Sequence, residues 1–124
     1  MPPVFASAKR RHPDRPLIEL EPSWIKAGDR IIGLKFRCPI HDVVPGNPEF
    51  PCTHHVGFKN PPDGGPAPEH WRVTWERRAG DTFETLSLWP SIRMLGFGDG
   101  GGCHWHGFVG LERPGIVITL DDSK

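Results

Sequence analysis

From Arg30 onward the chain places Ile32, Leu34, Phe36 and Cys38 at every second position, with Gly33, Lys35 and Arg37 between them. A period of two is that of a strand covered on one face, because successive side chains leave a strand on opposite sides. Trp71, Val73 and Trp75 alternate with Arg72, Thr74 and Glu76 in the same way. Ala79-Gly80-Asp81 then turns the chain into a second run, Phe83–Trp89, which predicts a β-hairpin with a longer loop. Pro90 ends that run because it has no amide hydrogen for the ladder. Thr53–Phe58 predicts another strand, and two more follow at about 105–109 and 115–120. Pro22-Ser23-Trp24-Ile25-Lys26, stopped by Gly28, predicts one helical turn, and Leu17-Ile18-Glu19-Leu20 is a short apolar segment before it.

Between these segments the chain is rich in breakers. Gly and Pro contribute 15 residues each to the 124, so long helices are excluded and turns must be frequent. Pro39–Pro51, with four prolines and Gly46, leaves the sheet as a loop, and Asn60–Pro66 forms a second excursion held by rigid prolines. Residues 1–16, basic and punctuated by Pro2, Pro3 and Pro13, predict a flexible arm ahead of one domain spanning residues 17–124. The expected fold is a small all-β domain, a sheet or sandwich with long Pro/Gly-rich loops.

Charge narrows the function. Fifteen Lys and Arg balance fifteen Asp and Glu, which leaves no basic footprint for nucleic acid or an acidic membrane. The N-terminus lacks the apolar core of a signal peptide and no run is long enough to span a bilayer, so a soluble cytoplasmic protein is expected. There is no phosphate-binding loop, dinucleotide fingerprint or H-E-x-x-H, and the Gly98–Gly102 run has no Lys after it.

Seven His and three Cys carry the candidate chemistry. Cys38-Pro39-Ile40-His41 and Cys103-His104-Trp105-His106 both read C-x-x-H. A thiolate and an imidazole at that spacing can turn onto one ion, and two such pairs complete the tetrahedral set that Zn²⁺ prefers. Cys38, His41, Cys103 and His106 are therefore the predicted zinc ligands. Cys52, His54, His55 and His104 are each able to replace a member, with Cys38, Cys52, Cys103 and His106 as the main alternative set. Four protein ligands leave no position for water, so such a zinc would build the fold rather than perform chemistry. An odd number of cysteines argues against a disulfide framework.

Ser91, directly after Pro90, is the candidate nucleophile, and it would need a base such as His54, His55 or His104 within hydrogen-bond reach. The alternative is a hydroxyl that shapes a turn. Trp71, Trp75 and Trp89 fall at strand phases suited to the core, whereas Trp105, between two histidines, would shield a metal or line a groove.

Leu86-Ser87-Leu88-Trp89-Pro90-Ser91-Ile92, a Gly-rich gap and then Cys103-x-x-His106-Gly107-Phe108-Val109 resemble a small bacterial and phage family of zinc-binding domains of unknown function. That family has a "PSI" segment followed by C-x-x-H-G-[FW]-[IV]. The resemblance spans roughly Phe36 to Leu120, including the Asn60-Pro61-Pro62 loop. It implies zinc ligation by Cys103 and His106, and by Cys38. Family members usually carry more Cys after the first strand, where this chain has His41. Some members are encoded beside ubiquitin-like proteins and their conjugating enzymes, which implies a peptidase or deconjugase releasing a ubiquitin-like tail; others are phage accessory proteins.

Two expectations follow. One is a non-catalytic, protein-binding module held by zinc, recognising its partner through residues 39–51 and 60–68. The other is a hydrolase of a ubiquitin-like protein in which Ser91 attacks a glycyl carbonyl, a nearby His takes the proton and the glycine-rich loop holds the oxyanion. A metallopeptidase variant would use an open three-ligand site with Glu49 or Glu84 as base.

Overall fold

The computed structural model describes residues 12–69, 71, 73–94, 102–120 and 122–123. Among these residues the strands are β1 (Arg15–Pro16), β2 (Ser23–Ala27), β3 (Arg30–Arg37), β4 (Val43–Val44), β5 (Asn47–Pro51), β6 (Thr53–Gly57), β7 (Glu76–Ala79), β8 (Ser87–Trp89), β9 (Ile92–Arg93), β10 (His106–Val109) and β11 (Ile116–Thr119). One sheet has the order β2-β3-β6 and another β1-β11-β10-β9, both antiparallel, with β4-β5 and β7-β8 as separate ribbons. The fold is all-β, with one 3₁₀ turn at Leu17–Leu20.

The two-residue period predicted for β3 is realised as packing. Ile32, Leu34, Phe36 and Cys38 are buried while Lys35 is exposed. Leu34, Phe36, Val56 and Phe58 from the first sheet join Ile92, Val109 and Val117 from the second in one core, closed by Leu17, Leu20, Leu86, Leu88 and Trp105. Side chains one position out of phase serve the far face of β10 and β11, where Phe108 and Ile118 pack with Leu120 and Trp89. The second sheet is thus covered on both sides at its centre. The Trp105 indole N–H, fully buried, donates to Thr119 Oγ1 at 2.8 Å.

Several local expectations change in the fold. Ser23–Ala27 is a strand and not a helical turn, because its backbone pairs with β3 through a turn at Gly28, whose φ of +63° suits glycine. The proline-rich stretch 39–51 contains the ribbon β4-β5, reversed at Pro45-Gly46. Among the described residues of the Trp71–Trp75 run, Trp75 bridges Phe58 and no ladder is formed, and β7 starts at Glu76. The strand expected from Phe83 begins at Ser87, since the Thr82 and Thr85 hydroxyls, 2.8 Å apart, and the Thr82 amide donating to Thr85 Oγ1 shape a turn that competes with the ladder. Arg15 and Pro16 pair with Val117 and Ile116, so the end of the expected arm is an edge strand, where a proline is tolerated. Residues 1–11, the rest of that arm, and residues 95–101, which hold most of the glycine run, lie outside the described residues.

Trp71 has a different role from a strand residue. Gly33 pairs with Gly57 across β3 and β6, and a Cβ on Gly57 would sit 1.7 Å from the Trp71 ring. The glycine pair leaves a flat patch of backbone, and the indole lies over it.

Candidate metal centre

The strands that build the core also build the site. Phe36 pairs with His54 and Arg37 with Thr53, so extending the register by one residue sets Cys38 opposite Cys52. The Cys38 amide donates to the Cys52 carbonyl at 2.9 Å, and the Cys52 amide to the Asp42 carbonyl at 3.1 Å. Period two then places Phe36, Cys38, Cys52 and His54 on one face, the buried one. Cys103 arrives from the other sheet, just ahead of β10, and Gly102 beside it donates to the Pro45 carbonyl at the tip of β4-β5.

Cys38, Cys52, His54 and Cys103 each offer a ligand atom, and the four atoms lie within 4.8 Å of one another. Cys38 Sγ is 3.7 Å from Cys103 Sγ, and Cys103 Sγ is 3.7 Å from His54 Nε2. A tetrahedral zinc with bonds of about 2.3 Å to sulfur separates its sulfurs by about 3.8 Å, so these edges already have the size the ion requires. His54 is only 3% exposed. Its ring stacks on Trp105 with centroids 5.3 Å apart and meets Phe36 edge-on at 5.7 Å. Those aromatic contacts fix the imidazole with Nε2 toward Cys103. This buried three-cysteine, one-histidine group could hold a metal ion, and its soft donors suit zinc.

Charge in the cluster points the same way. The hydrogen bond between Cys38 and Cys103, with burial adding, pushes the Cys38 thiol far above its ordinary value. The same bond, helped by His54 and His41 and opposed by burial, brings Cys103 down to about 3. Burial, then the charge on Cys103, pushes Cys52 up to about 11. These opposed shifts disfavour ionising all three thiols together, and a divalent ion would supply the positive charge that offsets this.

Of the four ligands predicted first, Cys38 and Cys103 meet. His41 stands beside them, with Nδ1 at 3.6 Å from Cys38 Sγ. His106 is engaged elsewhere: its Nδ1 lies 3.0 Å from the Asp122 carboxylate and 3.1 Å from an Arg93 nitrogen, and Arg93 bonds the same carboxylate. Cys52 and His54, both named as substitutes, complete the group in place of His41 and His106. The signal for His54 was Cys52-x-His54-x-Val56-x-Phe58, the strand period continued by ligating residues.

The other candidates are spread out. His55 pairs with Lys35 on the exposed side of β6, and burial comes first among the causes that lower its pKa. Ser91 is half-buried and its carbonyl accepts the Trp75 indole N–H at 3.1 Å; among the described residues no imidazole is within hydrogen-bonding distance of its hydroxyl. Glu49 and Glu84 are exposed, and His104 is half-buried. Trp75 packs against the main core and Trp89 against the smaller cluster, as their phases suggest.

Among the described residues no helix is long and apolar enough to cross a membrane. No protein-family model matches the chain, and no curated protein or solved structure shows significant similarity to it.

Proposed function

We propose that the chain is a zinc-binding β domain whose metal is structural and whose loops serve as a protein-binding module. The observation that carries this reading is the convergence of three thiols and one imidazole, from both main sheets, at tetrahedral spacing. Four protein donors close the coordination sphere, which favours a fold-building ion over one that activates water. The clip joins residues 65 apart in sequence, and closing a long loop restricts the unfolded chain most. The ribbon β4-β5, tied to the site through Cys52 and Gly102, carries exposed Val43 and Phe50. Those apolar side chains on a loop fixed by the metal support recognition of a protein surface.

The test is metal content by mass spectrometry with thermal unfolding. The wild type is expected to hold one zinc per chain, with a strong chelator lowering the midpoint by about 10 °C. Cys38→Ser, Cys52→Ser, Cys103→Ser and His54→Ala are each expected to lose the ion, and His106→Ala to keep it. A metal-free wild type, or a His54→Ala variant with full zinc, contradicts the proposal.

A further inference from the structure

The cluster has a fifth donor that a closed tetrahedral site does not require. His41 Nδ1 lies 3.6 Å from Cys38 Sγ, nearly the separation that links Cys103 to His54. The two imidazoles differ in their surroundings. His54 is clamped between Trp105 and Phe36 inside the core, whereas His41 is half-buried and lines a cavity of about 240 Å³ together with Cys38, Arg15, Arg37 and Glu21. The ligand group is therefore walled by aromatic rings on one side and opens to this cavity at Cys38.

The geometry points to His41 as the exchange ligand of the site, the group that takes the incoming ion from the cavity and passes it to the three thiols and His54. The inference rests on the zinc reading above. Zinc is able to expand from four to five ligands, so a donor already at tetrahedral distance from one of the sulfurs can bind the ion before another bond breaks. Such a group lowers the barrier in both directions. It speeds loading and release by the same factor and leaves the equilibrium affinity unchanged, whereas a resident ligand or a purely structural residue changes affinity or stability.

The experiment follows zinc transfer to and from a chromophoric chelator by stopped flow, in the full chain and in His41→Gln and His41→Asp. His41→Gln is expected to keep one equivalent of zinc and its unfolding midpoint, while both rates fall about tenfold. His41→Asp, which restores a donor atom, is expected to recover part of the loss. Unchanged rates in His41→Gln overturn the exchange role. Loss of the zinc equivalent also overturns it, by making His41 a resident ligand. Failure of the zinc reading itself is separate, since it shows as a wild type that binds no zinc at all.

Discussion

At the residue scale, three cysteines crowded together do not titrate as three independent thiols. The hydrogen bond between Cys38 and Cys103 favours the thiolate on Cys103 and, with burial, the protonated thiol on Cys38, while burial and the charge on Cys103 favour the protonated thiol on Cys52. Loading zinc near neutral pH should therefore release about two thiol protons per ion rather than three. Calorimetry in buffers of different ionisation enthalpy measures this number, and a value of three would mean that Cys103 is not ionised in the metal-free protein. Affinity should fall as pH drops, because protons compete with the ion for these sulfurs. Cys38 and Cys103 were legible as members of the cluster from the two C-x-x-H pairs. His54 stood there only as one of several substitutes, because cross-strand pairing, here Phe36 with His54, brings it to the cluster, and a chain read segment by segment does not contain that pairing.

At the scale of elements, the strands with regular alternation were legible and those made by partners were not. β3 follows from Ile32, Leu34, Phe36 and Cys38 alone. The run before Gly28 suits a helical turn that the glycine stops, yet it is the strand β2 because β3 offers it a free edge. The Gly33–Gly57 pair is another partner-made feature, invisible until Trp71 covers it. Gly57→Ala should force the indole off the sheet and cost about 1–3 kcal/mol. Much of that cost should vanish in a Trp71→Ala background, so a double-mutant cycle on unfolding free energies tests the contact, and additive effects would refute it. The excursion Asn60–Pro66 is fastened by Arg30, which bonds both Asp63 carboxylate oxygens and the Pro66 carbonyl. That guanidinium holds Asp63 down to about 2, below the ordinary 3.8. A carboxylate with a depressed folded pKa stabilises above its unfolded value and loses that contribution as pH falls through the folded one. The loop's amides should therefore exchange faster as pH drops from about 4 to 2, beyond the intrinsic change, and Asp63→Asn should show fast exchange across the whole window.

At the scale of the whole molecule, two small sheets share one core, and the proposed ion adds a joint where apolar contact ends. β3 and β6 deliver Cys38, Cys52 and His54 from one sheet, while the segment before β10 delivers Cys103 from the other. The apolar layer of Phe36, Val109, Val117 and Trp105 continues directly into the ligand group through the His54–Trp105 stack. Packing positions the four donors, and in the proposed reading the ion in turn ties the sheets together. The account depends on the identity of those four donors. X-ray absorption at the zinc edge of the loaded protein reads them directly: the expected shell is three sulfurs at about 2.3 Å and one nitrogen at about 2.0 Å. A shell with two sulfurs and two nitrogens, or one dominated by oxygen, would contradict it.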